Sequence, residues 1–323
     1  MMLAITRSGL AGTVFFLLAL LALPALADGQ WIKIFISTGC FVIAASGVAF
    51  MYSRLGMVSL GQVALMGVGG WVTLRMNHAF NLPFEINVAV AGAVTLVFGW
   101  LLALPALRMR GLYLALITLM AAGGLEVIFS TFRFPNGGPG FWGVMPSVAA
   151  PFRRPWIAQS DAAYLRYIVA AAFFGFVLIE LHRRMAPGRA WAMIRRSEAA
   201  ALASGVNVVY YKAWAFGLSG FLAGVAGGLL AGGLGLLDAA TFRASESIML
   251  FALSVVGGAR FWLGAVIAGV LYRVMPALFS NWGINSDLTL VIFGAALLHA
   301  IMTAPDGLSG QILQAFGKVT RRA

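Results

Sequence analysis

The stretch GRAWAMIRRSEAAALASGVNVVYYK, Gly188 to Lys212, is a basic, helix-prone segment set between long apolar runs. A connector between two membrane spans needs only a few polar residues. This one carries an alanine-rich helix with Arg195 and Arg196, a central acid, Glu198, and a closing glycine, Gly205. Glycine stops a helix well because it takes the left-handed conformation without steric cost. Trp191, Ile194 and Leu202 fall on one side of such a helix and the charges on the other. That is the build of a docking element, although a basic helix lying in the membrane interface has a similar pattern.

Outward from this segment, the chain is 61% hydrophobic and 10% charged over 323 residues. A soluble domain of that length would be roughly one quarter charged, so this chain belongs in a bilayer. The 22 Lys and Arg exceed the 10 Asp and Glu, giving a formal charge of +12. In a soluble protein that excess would suggest nucleic acid. Here the cations fall in short connectors, where membrane topology accounts for them and no nucleic-acid partner is expected. The single cysteine, Cys40, excludes an internal disulfide and a thiolate metal cluster, and is read as packing.

A bilayer span takes about 20 apolar residues. Candidates fall near 10–27, 31–51, 57–76, 86–107, 111–131, 164–182, 213–235, 245–258, 261–282 and 287–303. The expected fold is therefore all-α and polytopic, with about ten transmembrane helices, some short or broken, in one domain over 1–323. If the N-terminus is cytoplasmic, the inner connectors receive Arg7, Arg54, Arg108, Arg110, Arg183, Arg184, Arg189, Arg195, Arg196, Lys212, Arg260, Lys318, Arg321 and Arg322. The outer side takes about half as many, which places the 188–212 loop and the C-terminus in the cytoplasm. Arg7, the apolar run after it and Ala25-Leu26-Ala27-Asp28 also have the build of a secretory signal. Removing that run would leave the charge parity unexplained, so it is read as a helix.

The chain lacks the pattern for binding nucleotide in a P-loop, which needs Gly-Lys followed by Ser or Thr and preceded by a further glycine. Gly317-Lys318 is followed by Val319, with Ile312 at the position of the first glycine. Any ATP is then hydrolysed by another protein. His78, His182 and His299 are scattered near span ends and are read as interfacial, and no Ser-His-Asp or HExxH arrangement can be assembled.

Buried polar groups in hydrocarbon are costly and mark bundle interiors or solvated paths. In SLGQVALMGVGGWV, Ser59 and Gln62 lie one turn apart within the third span and share a helix face. They line a substrate path or bond neighbouring helices. Glu126 sits inside the fifth apolar run and needs a partner or a proton, for which Arg273 in the ninth span is the available cation. Gly220, Gly224, Gly228 and Gly232 recur at four-residue intervals in the seventh span. Such a stripe allows close helix packing and predicts an internal helix. The outer segment from Asn136 through NGGPGFWGVMP to Asp161 is long for an idle connector and could receive a soluble binding partner.

Taken in order, YSRLGMVSLGQVALMGVGGWV, LRMRGLYLALITLMAAGGLEVIF, NGGPGFWGVMP, the 188–212 segment with the span after it, SIMLFALSVVGGARFWLGAVIAGVLYRVMP and APDGLSG resemble the permease subunits of branched-chain amino acid ABC importers. The resemblance implies that Glu198, Ala200, Ala201 and Gly205, with Arg195 and Arg196 just before them, form the stretch that docks on an ATPase subunit. It also implies a second homologous permease, two ATPase subunits that use ATP and Mg, and a periplasmic or extracellular binding protein. This chain itself would bind no cofactor. The implied location is the bacterial inner membrane, and the implied mechanism is alternating access. The chain departs from the family at Arg195-Arg196-Ser197-Glu198, where an acid usually precedes the Glu, and at Gly61-Gln62-Val63 and Gly111-Leu112-Tyr113. A secondary transporter or channel in which Glu126 carries a proton or ion is the alternative reading.

Overall fold

The computed structural model describes residues 7–27, 29–106, 109, 111–136, 152–260, 262–283 and 307–312, with scattered positions between 288 and 302. Among these, every regular element is helical: α1 (Arg7–Leu26), α2 (Gln30–Leu55), α3 (Gln62–Phe80), α4 (Phe84–Ala106), α5 (Leu112–Phe132), α6 (Asp161–Arg184), α7 (Ala186–Arg196), α8 (Glu198–Ala203), α9 (Val208–Leu234), α10 (Ala244–Gly257) and α11 (Trp262–Asn281), with a 3-10 turn at Ala239–Phe242 before α10. Six of them, α2, α4, α5, α6, α9 and α11, are long and apolar enough to cross a bilayer. The protein is a polytopic membrane protein.

The first nine expected spans each coincide with a helix, and the tenth, 287–303, lies mostly outside the described residues. Two differ in form. The third is helical only from Gln62, because residues 56–61 run as a non-helical connector after the left-handed Gly56 closes α2. The eighth, α10, has 14 residues, which rise about 21 Å and fall short of the hydrocarbon thickness.

Burial sorts the helices into an inner pair and an outer set. Of the most apolar stretch of each helix, 89% is buried in α9 and 83% in α2, against 28% in α5, α6 and α11. A helix that is apolar on every side belongs in the interior. Accordingly, α9 packs chiefly on α4, then on α3 and α2, while α2 also carries α11 and α6.

Glycine sets the distance of α9 from its neighbours. A Cβ at Gly220 would stand 2.4 Å from the Thr95 carbonyl oxygen of α4, and one at Gly224 would stand 2.7 Å from that of Ala91. At Gly228 it would meet Thr73 Oγ1 at 2.5 Å and at Gly232 the Tyr164 hydroxyl at 2.3 Å. A second row faces α3: a Cβ at Gly227 would lie 1.9 Å from the Met66 carbonyl oxygen, and one at Gly69 2.4 Å from that of Gly224. With no hydrophobic drive between helices in lipid, backbone-on-backbone packing of this kind supplies the association energy.

Candidate coupling and transport site

The 188–212 segment is two helices. Ser197 is extended (φ −162°, ψ 119°), ends α7 and caps α8, its hydroxyl accepting from the Ala200 amide at 3.2 Å. Serine offers the backbone this bond in place of helix continuation, and Glu198 in the first turn of α8 complements the helix dipole. Ser-Glu is a helix-start signal that the reading of one continuous helix passed over. At the other end, Gly205 takes φ +78°. The amides of Gly205 and Val206 bond the carbonyls of Leu202 and Ala201, both at 3.0 Å, so the stop is a left-handed glycine closure.

The apolar side of α7 is anchored inward. Trp191 is fully buried, donates from Nε1 to the Tyr211 carbonyl on α9 at 2.8 Å and meets Phe50 of α2 edge-on at 4.8 Å. Together with Ile194, Ala201 and Val208 it belongs to a hydrophobic cluster separate from the main membrane core. Leu202 does not join it. The break at Ser197 resets the helical phase, and Leu202 is left 61% exposed. Arg195, Arg196, Ala200 and Gly205 are exposed as well, while Ala201 is buried.

Glu198 turns inward. Its Oε1 accepts from Lys212 Nζ of α9 at 2.5 Å, with side-chain exposures of 25% and 5%. A lysine that far from water is tolerated only when paired and bonded. This ion pair ties α8 directly to the innermost helix. The exposed face of the element is thus formed by Arg195, Arg196, Ala200 and Leu202, with Glu198 on its inner side.

Ser59 and Gln62 are both buried but do not share a helix face, because Ser59 lies in the connector and Gln62 opens α3. Gln62 Nε2 donates to the Ala44 and Ser219 carbonyls at 3.2 and 3.1 Å, and its Oε1 accepts from the Ser219 hydroxyl at 3.0 Å. It is a cross-brace between α2 and α9. The broken backbone ahead of α3 is satisfied by protein: the Leu60 amide donates to Thr118 Oγ1 of α5 at 2.9 Å and the Val63 amide to Ser247 Oγ of α10 at 3.1 Å. Non-helical backbone survives at membrane depth only under such conditions.

Glu126 does not meet Arg273. Its Oε2 accepts from the Ala244 amide at 2.8 Å, the first residue of α10, where the positive end of the helix dipole favours a carboxylate. Arg273 lies over the Phe41 ring at 5.6 Å. Beside it, Tyr272 donates its hydroxyl proton to Glu246. Thr118, Glu126 and Ser247 therefore tie the starts of α3 and α10 to their neighbours, α5 and α10.

At the end opposite α7 and α8, Arg154 holds the last turn of α9. It donates to the carbonyls of Gly232 (2.9 Å) and Gly233 (3.2 Å), pairs with Asp161 Oδ1 at 2.6 Å and lies over the Tyr164 ring. Nothing in the order of residues marks these contacts, which join positions 78 and 79 apart. Of the outer segment, residues 137–151 lie outside the described residues, while Asn136 exchanges two bonds with the Leu237 backbone. His78 and His182 sit near helix ends, and His299 is outside the described residues.

A helical bundle with a buried glycine-packed centre and an amphipathic element at one end is the build of a multi-pass membrane protein. Residues 31–301 match the family described as branched-chain amino acid transport system / permease component, and the chain belongs to that family. It is 27% identical to the high-affinity branched-chain amino acid transport system permease protein LivM of Salmonella typhimurium, over 91% of this chain and 74% of that protein. The LivM of Escherichia coli is 26% identical with the same coverage. A probable ABC transporter permease protein of Sinorhizobium fredii is 26% identical, over 92% of this chain and 91% of its own length. No solved structure matches the chain.

Proposed function

We propose that the chain is the permease subunit of an ATP-driven importer in the bacterial inner membrane, moving branched-chain amino acids or related small amino acids and amides by alternating access. The observation that carries this reading is the α7–α8 element: an exposed basic and apolar face, joined to the innermost helix by the Glu198–Lys212 pair. A partner that moves this element pulls on α9, and α9 touches α2, α3 and α4. ATP and Mg are used by separate ATPase subunits docked on Arg195, Arg196, Ala200 and Leu202. Glu198, Ala201 and Gly205 set the shape of the docking element. A second homologous permease completes the pore, and a binding protein delivers substrate to the opposite face.

A proton-carrying role for Glu126 finds less support, because its carboxylate is a structural acceptor for the Ala244 amide at the start of α10. Reconstitution into vesicles with the ATPase subunits, second permease and binding protein tests the proposal. Uptake of leucine that requires ATP and ignores a protonophore is expected. Uptake that follows the proton gradient without ATPase subunits would contradict it.

A further inference from the structure

Between Arg154 and α6 the backbone makes a braced turn. The Ala158 amide donates to the Pro155 carbonyl at 2.9 Å, and Gln159 Nε2 donates to the carbonyls of Arg154 and Pro155 at 3.1 and 2.9 Å. Pro155 and Ala158 are buried. The two residues between them stand clear of the protein: Trp156 is 84% exposed, more than any other large apolar side chain among the described residues, and Ile157 is 57% exposed. A loose loop tip would fold such side chains out of water. Here the hydrogen bonds hold the turn with both displayed.

Two helices place this turn at the depth of the lipid headgroups. Along α6, the stretch from exposed Arg166 to Arg183 rises about 26 Å, and residues 167–179 carry no charge. That run fits a hydrocarbon core of ~30 Å once the cations at its ends reach outward along their alkyl stems. Asp161 then lies about 8 Å beyond Arg166, inside the headgroup layer, which adds ~5–8 Å on each side. Arg154 is fixed to Asp161 at 2.6 Å, so the turn that follows Arg154 starts at this depth. The second helix is α2, which runs in the same direction as α6, since α7 meets α2 at Tyr52 and directly follows α6. Gly39 of α2 packs on Ile168 of α6. Trp31 precedes Gly39 by as many residues as Ser160 precedes Ile168, so half-buried Trp31 lies level with the start of α6.

We propose that the Trp156–Ile157 turn is an anchor in the membrane interface, with both side chains at the boundary between headgroups and acyl chains in the leaflet away from α7–α8. Tryptophan suits this place because its ring is apolar while its N–H seeks a polar partner, and such rings gather at the headgroup level. Exposed Arg153, just before Arg154, supplies a cation for lipid phosphate on the same segment. A soluble partner would need the pair to stand above the headgroups, beyond the level that Asp161 and Trp31 set. Arg154 bonds the Gly232 and Gly233 carbonyls, so the anchor ties the capped end of α9 to the bilayer. The anchor stands independently of the transport reading.

The test is depth-dependent fluorescence quenching of the full-length chain in phosphatidylcholine nanodiscs, which leave both faces open to water. Cys40, the single cysteine, is fully buried, so Ile157→Cys supplies one accessible thiol for an environment-sensitive fluorophore while Trp156 stays in place. Phosphatidylcholine with a nitroxide next to the headgroup should quench it at least about twofold more than lipid with the nitroxide at the acyl end, because headgroup level lies ~15 Å from the bilayer midplane. Iodide in the buffer should quench it weakly compared with the same fluorophore on Ser204→Cys, exposed at the end of α8. Adding Trp156→Ala should lower the headgroup-nitroxide quenching. If Ile157→Cys does not fold, labelled Trp156→Cys carries the same expectation for both quenchers. Strong iodide quenching with no effect of either nitroxide would overturn the proposal and mark the turn as a surface for a soluble partner. Stronger quenching from the acyl end, or quenching unchanged by Trp156→Ala, would overturn it as well.

Discussion

The two ends of α9 are held in different ways. At its start, the Lys212–Glu198 ion pair and the Trp191–Tyr211 hydrogen bond join it to two short helices whose outer face is exposed. At its end, Arg154 grips the backbone carbonyls of Gly232 and Gly233 and is itself fixed by Asp161 and Tyr164. Between them, α9 meets its neighbours through glycine, with backbone against backbone. The contrast is that of a rod capped at one end and joined to the exposed α7–α8 element at the other.

The comparison breaks most completely if the rod itself is displaced. Gly227→Ala places a Cβ 1.9 Å from the Met66 carbonyl oxygen, where no side chain can give way. We expect a loss of about 3 kcal/mol or more, seen as failure to recover folded protein by size-exclusion chromatography. Next in size is Glu198→Gln, which leaves Lys212 buried without its counter-charge. Because Glu198 is partly exposed, the cost should fall below the ~3–5 kcal/mol of a fully buried pair, at about 2 kcal/mol, and ATP hydrolysis should uncouple from uptake in reconstituted vesicles.

Arg154→Gln removes the charge from the α9 C-terminus and should cost about 1–2 kcal/mol. Its signature is selective: hydrogen exchange should rise in the last turn of α9 while the Lys212 end stays protected. Leu202→Ala is the mildest change, within about 0.5 kcal/mol of wild-type stability because the side chain is already solvent-facing. It should weaken binding of the ATPase subunits severalfold in a pull-down titration. Equal protection changes at both ends of α9 in Arg154→Gln would remove the contrast drawn here.

Much of the architecture is legible without coordinates because hydrocarbon imposes simple rules. Apolar runs of sufficient length located nine helices, and the four-residue glycine interval marked the one that is buried deepest. What escaped was set by partners distant in sequence. Gln62 is explained by Ser219, 157 residues away, and Glu126 by the Ala244 amide, 118 residues away. Arg273, a plausible partner for Glu126 by charge alone, lies over an aromatic ring instead. Local signals were also present but outweighed: Ser197 caps a new helix within a run whose alanine content favours continuation, and that reset carries Leu202 from the expected apolar face to solvent. The connector before α3 reads as apolar and therefore as span, since its satisfaction by Thr118 and Ser247 is purely tertiary.

The measurement that bears most directly on the account is a charge-swap cycle at Glu198 and Lys212, scored as substrate taken up per ATP hydrolysed in vesicles containing the full transporter. The account predicts that Glu198→Lys and Lys212→Glu each lower this ratio and that the double exchange restores most of it. A double exchange whose loss equals the sum of the single losses, or uptake that ignores ATP throughout, would contradict it.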